Sequence, residues 1–174
     1  MMDLKEIEEL GILLELYNDV KVLYIQSEEC VPDLKLFLAP LIEERDALDH
    51  LMEAFKKNSK EELINEIKKA QSHLLRAYFD IADYVCVIIR KYINEYLAKL
   101  KEKQIATIWE EYGKQKMKMY EFSKRIAEIR SSRRDDISSL DEYKDIIVPG
   151  IFEIYKDFIS NIEARIRIKK KSSF

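Results

Sequence analysis

Apolar positions recur along most of this chain at steps of three and four, the period of an α-helix that buries one side. Over residues 3–27 they are Leu10, Leu13, Leu14, Tyr17, Val20 and Tyr24. Val31-Pro32-Asp33 interrupts the pattern, because the residue before a proline is driven out of the helical region. The second helix carries a regular stripe of Leu34, Leu38, Leu41, Leu48, Met52 and Phe55, expected to face the core, with Arg45 standing where an apolar residue should be. Pro40 lies early in this segment, in the first turn of the true helix or at a kink. Lys57-Asn58-Ser59 closes the helix, and Ser59 with Glu62 forms a capping box that opens a third.

The third helix has two stripes. One runs Leu63, Ile67, Ala70, Leu74, Ala77, Ile81, Tyr84, Ile88; the other runs Leu75, Tyr78, Ala82, Val85, Ile89, Tyr92, Tyr96. A helix apolar on two sides is central to a bundle. Beyond Leu100 the phase slips and resumes at Ile105, Ile108, Tyr112, Met119, Phe122, Ile126 and Ile129. A connection explains the slip better than a stutter, since one unbroken helix from Ser59 to Arg130 would extend about 100 Å. Residues 131–139 read as a polar loop and 140–171 as a last helix, broken or bent at Pro149-Gly150. The expected fold is all-α: an antiparallel bundle of five to six long amphipathic helices in a single domain, residues 1–174, with core helices over about 3–130.

Composition reinforces this. Three glycines and three prolines among 174 residues leave little material for hairpins. Thirty basic and 33 acidic residues are intermixed for a net charge of −3, so no global field points to nucleic acid or an anionic membrane. Cys30 and Cys86 lack CxxC spacing and read as reduced thiols of a cytoplasmic protein. The acidic opening Met1-Met2-Asp3-Leu4-Lys5-Glu6 does not suit a signal peptide. The longest apolar run, Tyr84 to Ile89, is far short of the ~20 residues that cross a bilayer. Sparse Asn and Gln beside abundant Lys, Glu and Ile lean toward a heat-adapted source.

Both histidines occur in one repeated phrase. Glu43-x3-Ala47-x2-His50-Leu51-x2-Ala54-Phe55 matches Glu66-x3-Ala70-x2-His73-Leu74-x2-Ala77-Tyr78. Glu and His seven apart share a helical face, so two such phrases on neighbouring helices could form a pseudo-symmetric pair. Tight helix packing, which wants small residues at these steps, explains the alanines equally well. Charge clusters around them: Glu43, Glu44, Arg45, Asp46 and Asp49, then Arg76, Asp80 and Asp83. Arg45 with Asp49, and Arg76 with Asp80, are at bridging distance along a helix. Arg45 on the core stripe must reach a carboxylate, solvent or a ligand, because burying it unpaired is costly. Glu43, His73, Arg76 and Asp80 are accordingly binding candidates, with an interhelical ion-pair network the plainer account. A di-iron centre needs Glu-x-x-His, and Ala47 and Ala70 occupy that glutamate's place, so no metal is expected. Gly11, Gly113 and Gly150 are isolated and make no phosphate loop, and no other cofactor is expected. The basic tail Arg165 to Lys171, with Arg130, Arg133 and Arg134, suits helix C-termini.

Arg45-Asp46-x3-His50 resembles the Arg-polar-x3-His motif of HEPN-type endoribonucleases. The resemblance covers six residues and implies a metal-independent RNase, active as a dimer, with Arg45, Asp46 and His50 in its cleft. Separately, Arg45-x-Ala47-Leu48-Asp49-His50-Leu51 and His73-Leu74-x-Arg76-Ala77-Tyr78-x-Asp80 are similar to an uncharacterised prokaryotic helical family and imply no activity. The leading expectation is a non-enzymatic interaction or regulatory module, bound to itself or to another helical protein and to no membrane. Its contact surface is expected at Trp109, Tyr112, Met119, Tyr120 and Phe122, whose large side chains cover more than one helical face. The alternative is the HEPN-like RNase, with RNA as partner. A circular dichroism spectrum should show helix and no sheet; an appreciable sheet signal overturns the fold.

Overall fold

The computed structural model describes residues 4–30, 38–131 and 138–171. Among them are seven α-helical segments, one π-helical turn and no strand. The helices are α1 (Leu4–Cys30), α2 (Leu38–Ala54), α3 (Lys60–Leu97), α4 (Glu102–Ile108), α5 (Tyr112–Ser131), α6 (Ser138–Glu142) and α7 (Val148–Lys171), with the π turn at Tyr143–Ile147. The all-α expectation holds. The break at Val31-Pro32-Asp33, the start of the second stripe at Leu34, and the side chains of Arg133, Arg134 and the 165–171 tail lie outside the described residues. Of the expected loop over 131–139, Ser131 instead closes α5 and Ser138 and Ser139 open α6, while 132–137 also lie outside.

The chain forms two compact units, Met1–Tyr84 with Arg133–Leu140 and Val85–Ser132 with Asp141–Phe174. In the first unit, α1 buries Leu13, Leu16, Val20 and Leu23, spaced three and four apart. Leu14 and Tyr17, expected inside, are exposed instead. The Gln71 side chain ties α3 to α1, donating to the Glu9 carbonyl at 2.8 Å and the Glu9 carboxylate at 3.0 Å. The third helix starts as anticipated: the Glu62 N–H donates to Ser59 Oγ at 3.3 Å. Pro40 sits in the first turn of α2, where its missing N–H breaks no ladder.

The largest correction concerns α2. Its buried residues are Pro40, Ala47 and Ala54, while the stripe expected to face the core points outward, with Leu48 56% and Phe55 64% exposed. At about 100° per residue the two sets centre about 125° apart around the helix, so they cannot both face inward. α3 supplies the reason. Ala70 and Ala77, at 0% exposure, line its buried side, and alanines on both helices permit an approach that leucines would block.

In the second unit Trp109 is fully buried between α4 and α5; its indole N–H donates to Asp157 Oδ2 at 2.6 Å and its ring packs on Phe158. The phase slip is therefore two connections: α3 ends at Leu97 and α4 at Ile108, and the Lys101 N–H is capped by Gln104 Oε1 at 2.8 Å. Pro149-Gly150 does not break the last helix. The π turn shifts the ladder, so the Val148 N–H donates to the Tyr143 carbonyl just before the residue that cannot donate. Gly150 sits against the tip of the Phe122 ring, and a Cβ there would oblige that ring to shift. Of the large side chains expected to form a contact surface, Trp109 and Met119 are buried, Tyr112 and Phe122 half-buried, and Tyr120 exposed.

The inverted α2 makes a simple expectation. Ala70→Leu overpacks the α2–α3 contact and should cost about 1–3 kcal/mol of stability. Leu48→Ala, on the outward stripe, should stay within about 0.5 kcal/mol, read by urea unfolding of dilute protein.

Candidate functional site

The repeated Glu-x6-His phrase becomes a reciprocal clasp. α2 carries Glu43 and His50; α3 carries Glu66 and His73; the turn at 55–59 sets the helices antiparallel. Each histidine binds the glutamate of the other phrase: His50 Nδ1 lies 2.7 Å from Glu66 Oε2, and His73 Nδ1 lies 2.8 Å from Glu43 Oε2. The two rings stack between these ends, with centroids 5.2 Å apart and planes at 27°. A local twofold relates the halves. The buried alanines that let the helices approach are the alanines of the same phrase.

Cations complete each end. Lys69 Nζ donates to Glu66 Oε1 at 2.7 Å, and Arg76 Nε donates to Glu43 Oε2 at 3.0 Å. Arg76 Nη2 also lies 2.8 Å from His73 Nδ1. That nitrogen serves one neighbour at a time: protonated it donates to Glu43, and unprotonated it accepts from Arg76. Both bonds are charge-assisted, one by the Glu43 carboxylate as acceptor and the other by the Arg76 guanidinium as donor. Lys69 and then His50, by hydrogen bond and charge, hold the Glu66 carboxyl down at about 2. At Glu43, burial pushes the carboxyl up, but the bonds and charges of Arg76 and His73 outweigh it and hold the group below the ordinary value.

Of the residues singled out in the sequence, the structure joins Glu43, His50, Glu66, His73 and Arg76 in one cluster. Arg45 does not belong to it. Its side chain is 66% exposed and pairs with its neighbour Asp46, Nη2 to Oδ1 at 2.6 Å, in place of the expected bridge to Asp49. Replacing Arg45 therefore strands no buried carboxylate, contrary to the reading that placed it on a core stripe. Five residues apart, Arg45 and His50 leave α2 about 140° from each other, His50 toward α3 and Arg45 toward the outer stripe. Asp80 is half-buried on α3, one turn beyond Arg76 on the same side of the helix. Among the described residues no group of three or more His, Cys, Asp or Glu side chains is arranged to hold a metal ion.

Beside the clasp, α1 and α2 border an apolar groove of about 710 Å³. Leu10, Leu13, Leu14 and Tyr17 line one side, Leu41, Leu48 and Leu51 the other, and Glu44 and Arg45 stand at its rim. Burial raises the Glu44 carboxyl. From Leu38 to Phe55 the α2 stripe, interrupted by Arg45 as the sequence has it, lies on one side of the helix, but that side is the outer one. The signal for the groove was present in the alanines of the opposite face, which mark the closer contact. No helix among the described residues is long and apolar enough to cross a membrane. The class these features define is an all-α protein built on a clasped helical hairpin with an open apolar face. No family model, curated protein or solved structure matches the chain.

The clasp carries a pH dependence. Both glutamates have folded values below the ordinary 4.5, so their stabilisation is present above that value and is lost as pH falls through the folded ones. Unfolding midpoints followed against pH should drop between about 4.5 and about 2. Glu66→Gln should flatten that drop, and an unchanged acid limb would show that the clasp contributes nothing.

Proposed function

We propose that this chain is a non-enzymatic interaction or regulatory module that docks helical protein surface against the open face of α1 and α2. The observation that carries the reading is the outward stripe of α2, with Leu38, Leu41, Leu48, Met52 and Phe55 all exposed. On α1 the exposed Leu14 and Tyr17 continue the same patch across the groove. Burying a side chain of this size is worth about 1.5–3 kcal/mol relative to leaving it in water, so five on one face are a strong drive toward a partner. The clasp on the opposite side of α2 supports the reading by fixing that face in place before docking, which lowers the ordering cost of association. The stripe's helical spacing favours a helix as the docked element.

The alternative, metal-independent RNA cleavage by Arg45 and His50 with Asp46, has the six-residue motif in its support. Within one chain those two side chains leave α2 on different sides, which favours the interaction module. Incubation with RNA, and loss of any cleavage in His50→Ala, tests the alternative directly.

The interaction reading is tested by placing a photoreactive residue at Leu48 or Met52, and at the exposed polar positions Glu61 and Asn65, in living cells that express the chain. Protein adducts should form at the stripe and not at the polar positions. Adducts absent from the stripe, or equally frequent at Glu61, would overturn the reading.

A further inference from the structure

We propose that the occupant of this face is a second copy of the same chain, packed antiparallel so that α2 meets α2 about a twofold axis. The inference rests on the interaction reading and names its partner. The outward row is Leu38, Leu41, Arg45, Leu48, Met52, Phe55, with steps of three, four, three, four and three. That is the heptad spacing of a coiled-coil seam, which is filled by another helix of the same period. The steps also read the same in both directions, so the row is complementary to its own reverse. A twofold near its middle sets Leu38 opposite Phe55, Leu41 opposite Met52 and Arg45 opposite Leu48. An isologous contact of this kind closes on itself and leaves no sticky end.

Charge complementarity selects this occupant. Arg45 is the one cation in the seam, and Asp49 is the exposed anion beside it on the edge away from the groove. In the antiparallel arrangement Asp49 of the second copy comes level with Arg45 to within about one residue rise, and the twofold forms the same pair again. Arg45 is available for it. Its present bond runs to Asp46 in an exposed neighbour pair, the kind of surface contact that contributes little and exchanges readily. A polar residue at one seam position also sets register and orientation, which an all-apolar row would leave open. On the groove edge the exposed Leu14 and Tyr17 of α1 flank the entering helix, so each α1–α2 pair supplies half of a four-helix contact.

Charge reversal followed by sedimentation equilibrium tests the pairing on the purified full chain. Wild type at about 10–100 µM should sediment at twice the 20.7 kDa chain mass. Arg45→Asp sets like charges against each other at both pairs and should weaken dimerisation about tenfold or more, as should Asp49→Arg. The double variant Arg45→Asp with Asp49→Arg restores both pairs and should return to within about threefold of wild type. Both side chains are exposed in the single chain, so these changes should leave its circular dichroism unaltered. A strict monomer at about 200 µM, or single reversals whose effects merely add in the double variant, would overturn the proposal. If stripe adducts in cells contain a different protein while the pure chain stays monomeric, the second copy is excluded and the interaction reading stands. If the stripe yields no adduct, the interaction reading fails first.

Discussion

The close approach of α2 and α3 through alanine is the constraint on which the first unit depends. Ala47 and Ala54 on one helix and Ala70 and Ala77 on the other are buried, and side chains this small let two backbones come close. Once that contact forms, the Glu-x6-His phrases must face each other, and the antiparallel setting brings each histidine to the other helix's glutamate. Alanine burial alone would allow the helices to slide by a turn. The two Glu–His bonds, 2.7 and 2.8 Å long, hold one register and one rotation. Small residues thus decide how near the helices come, and the clasp decides how they are aligned.

The orientation of α2 has a consequence on its other side. A helix that turns its small residues and its Glu–His pair inward leaves its large apolar residues on the outer side, beside the exposed Arg45, Asp49 and Glu53. Leu38, Leu41, Leu48, Met52 and Phe55 are exposed for this reason, and with α1 they border the groove. Hydrating that row costs the unit free energy, because large apolar side chains are left in water. Arg45 fits the same account. Among leucines on a buried stripe it would be an unpaired charge in a core; on an open face it is a hydrated guanidinium that pairs with Asp46.

Polar side chains play a comparable part in the second unit. Asp157 accepts from the Trp109 indole and from Gln115 and Asn161, so the largest buried ring of this unit is anchored by a carboxylate that three donors satisfy. Arg125 bridges from α5 to Glu142 with two bonds, at 2.5 and 2.7 Å, and that pairing holds the carboxyl of Glu142 below its usual range. The π turn that follows lets Pro149 and Gly150 continue a helix that either residue would normally end.

By itself the sequence determined the class of fold and much of its layout. Helical period, scarce glycine and proline, the Ser59 cap and the two-sided stripe of α3 are local properties, and local hydrogen bonding and propensity act on them whatever the partner. The repeated Glu and His phrase was legible too, including its potential for a symmetric pair. What period alone could not decide was which apolar side of a helix faces inward. Leu48 and Ala47 are neighbours in the chain, and hydrophobicity favours burying the leucine; the tertiary contact buries the alanine, because the distance between helices is set by the smallest side chains on both. Likewise Arg45 and His50 looked like one motif along the chain, whereas the clasp turns His50 to Glu66 and leaves Arg45 outside. Pairing across helices depends on residues far apart in sequence, and only the folded chain brings them together.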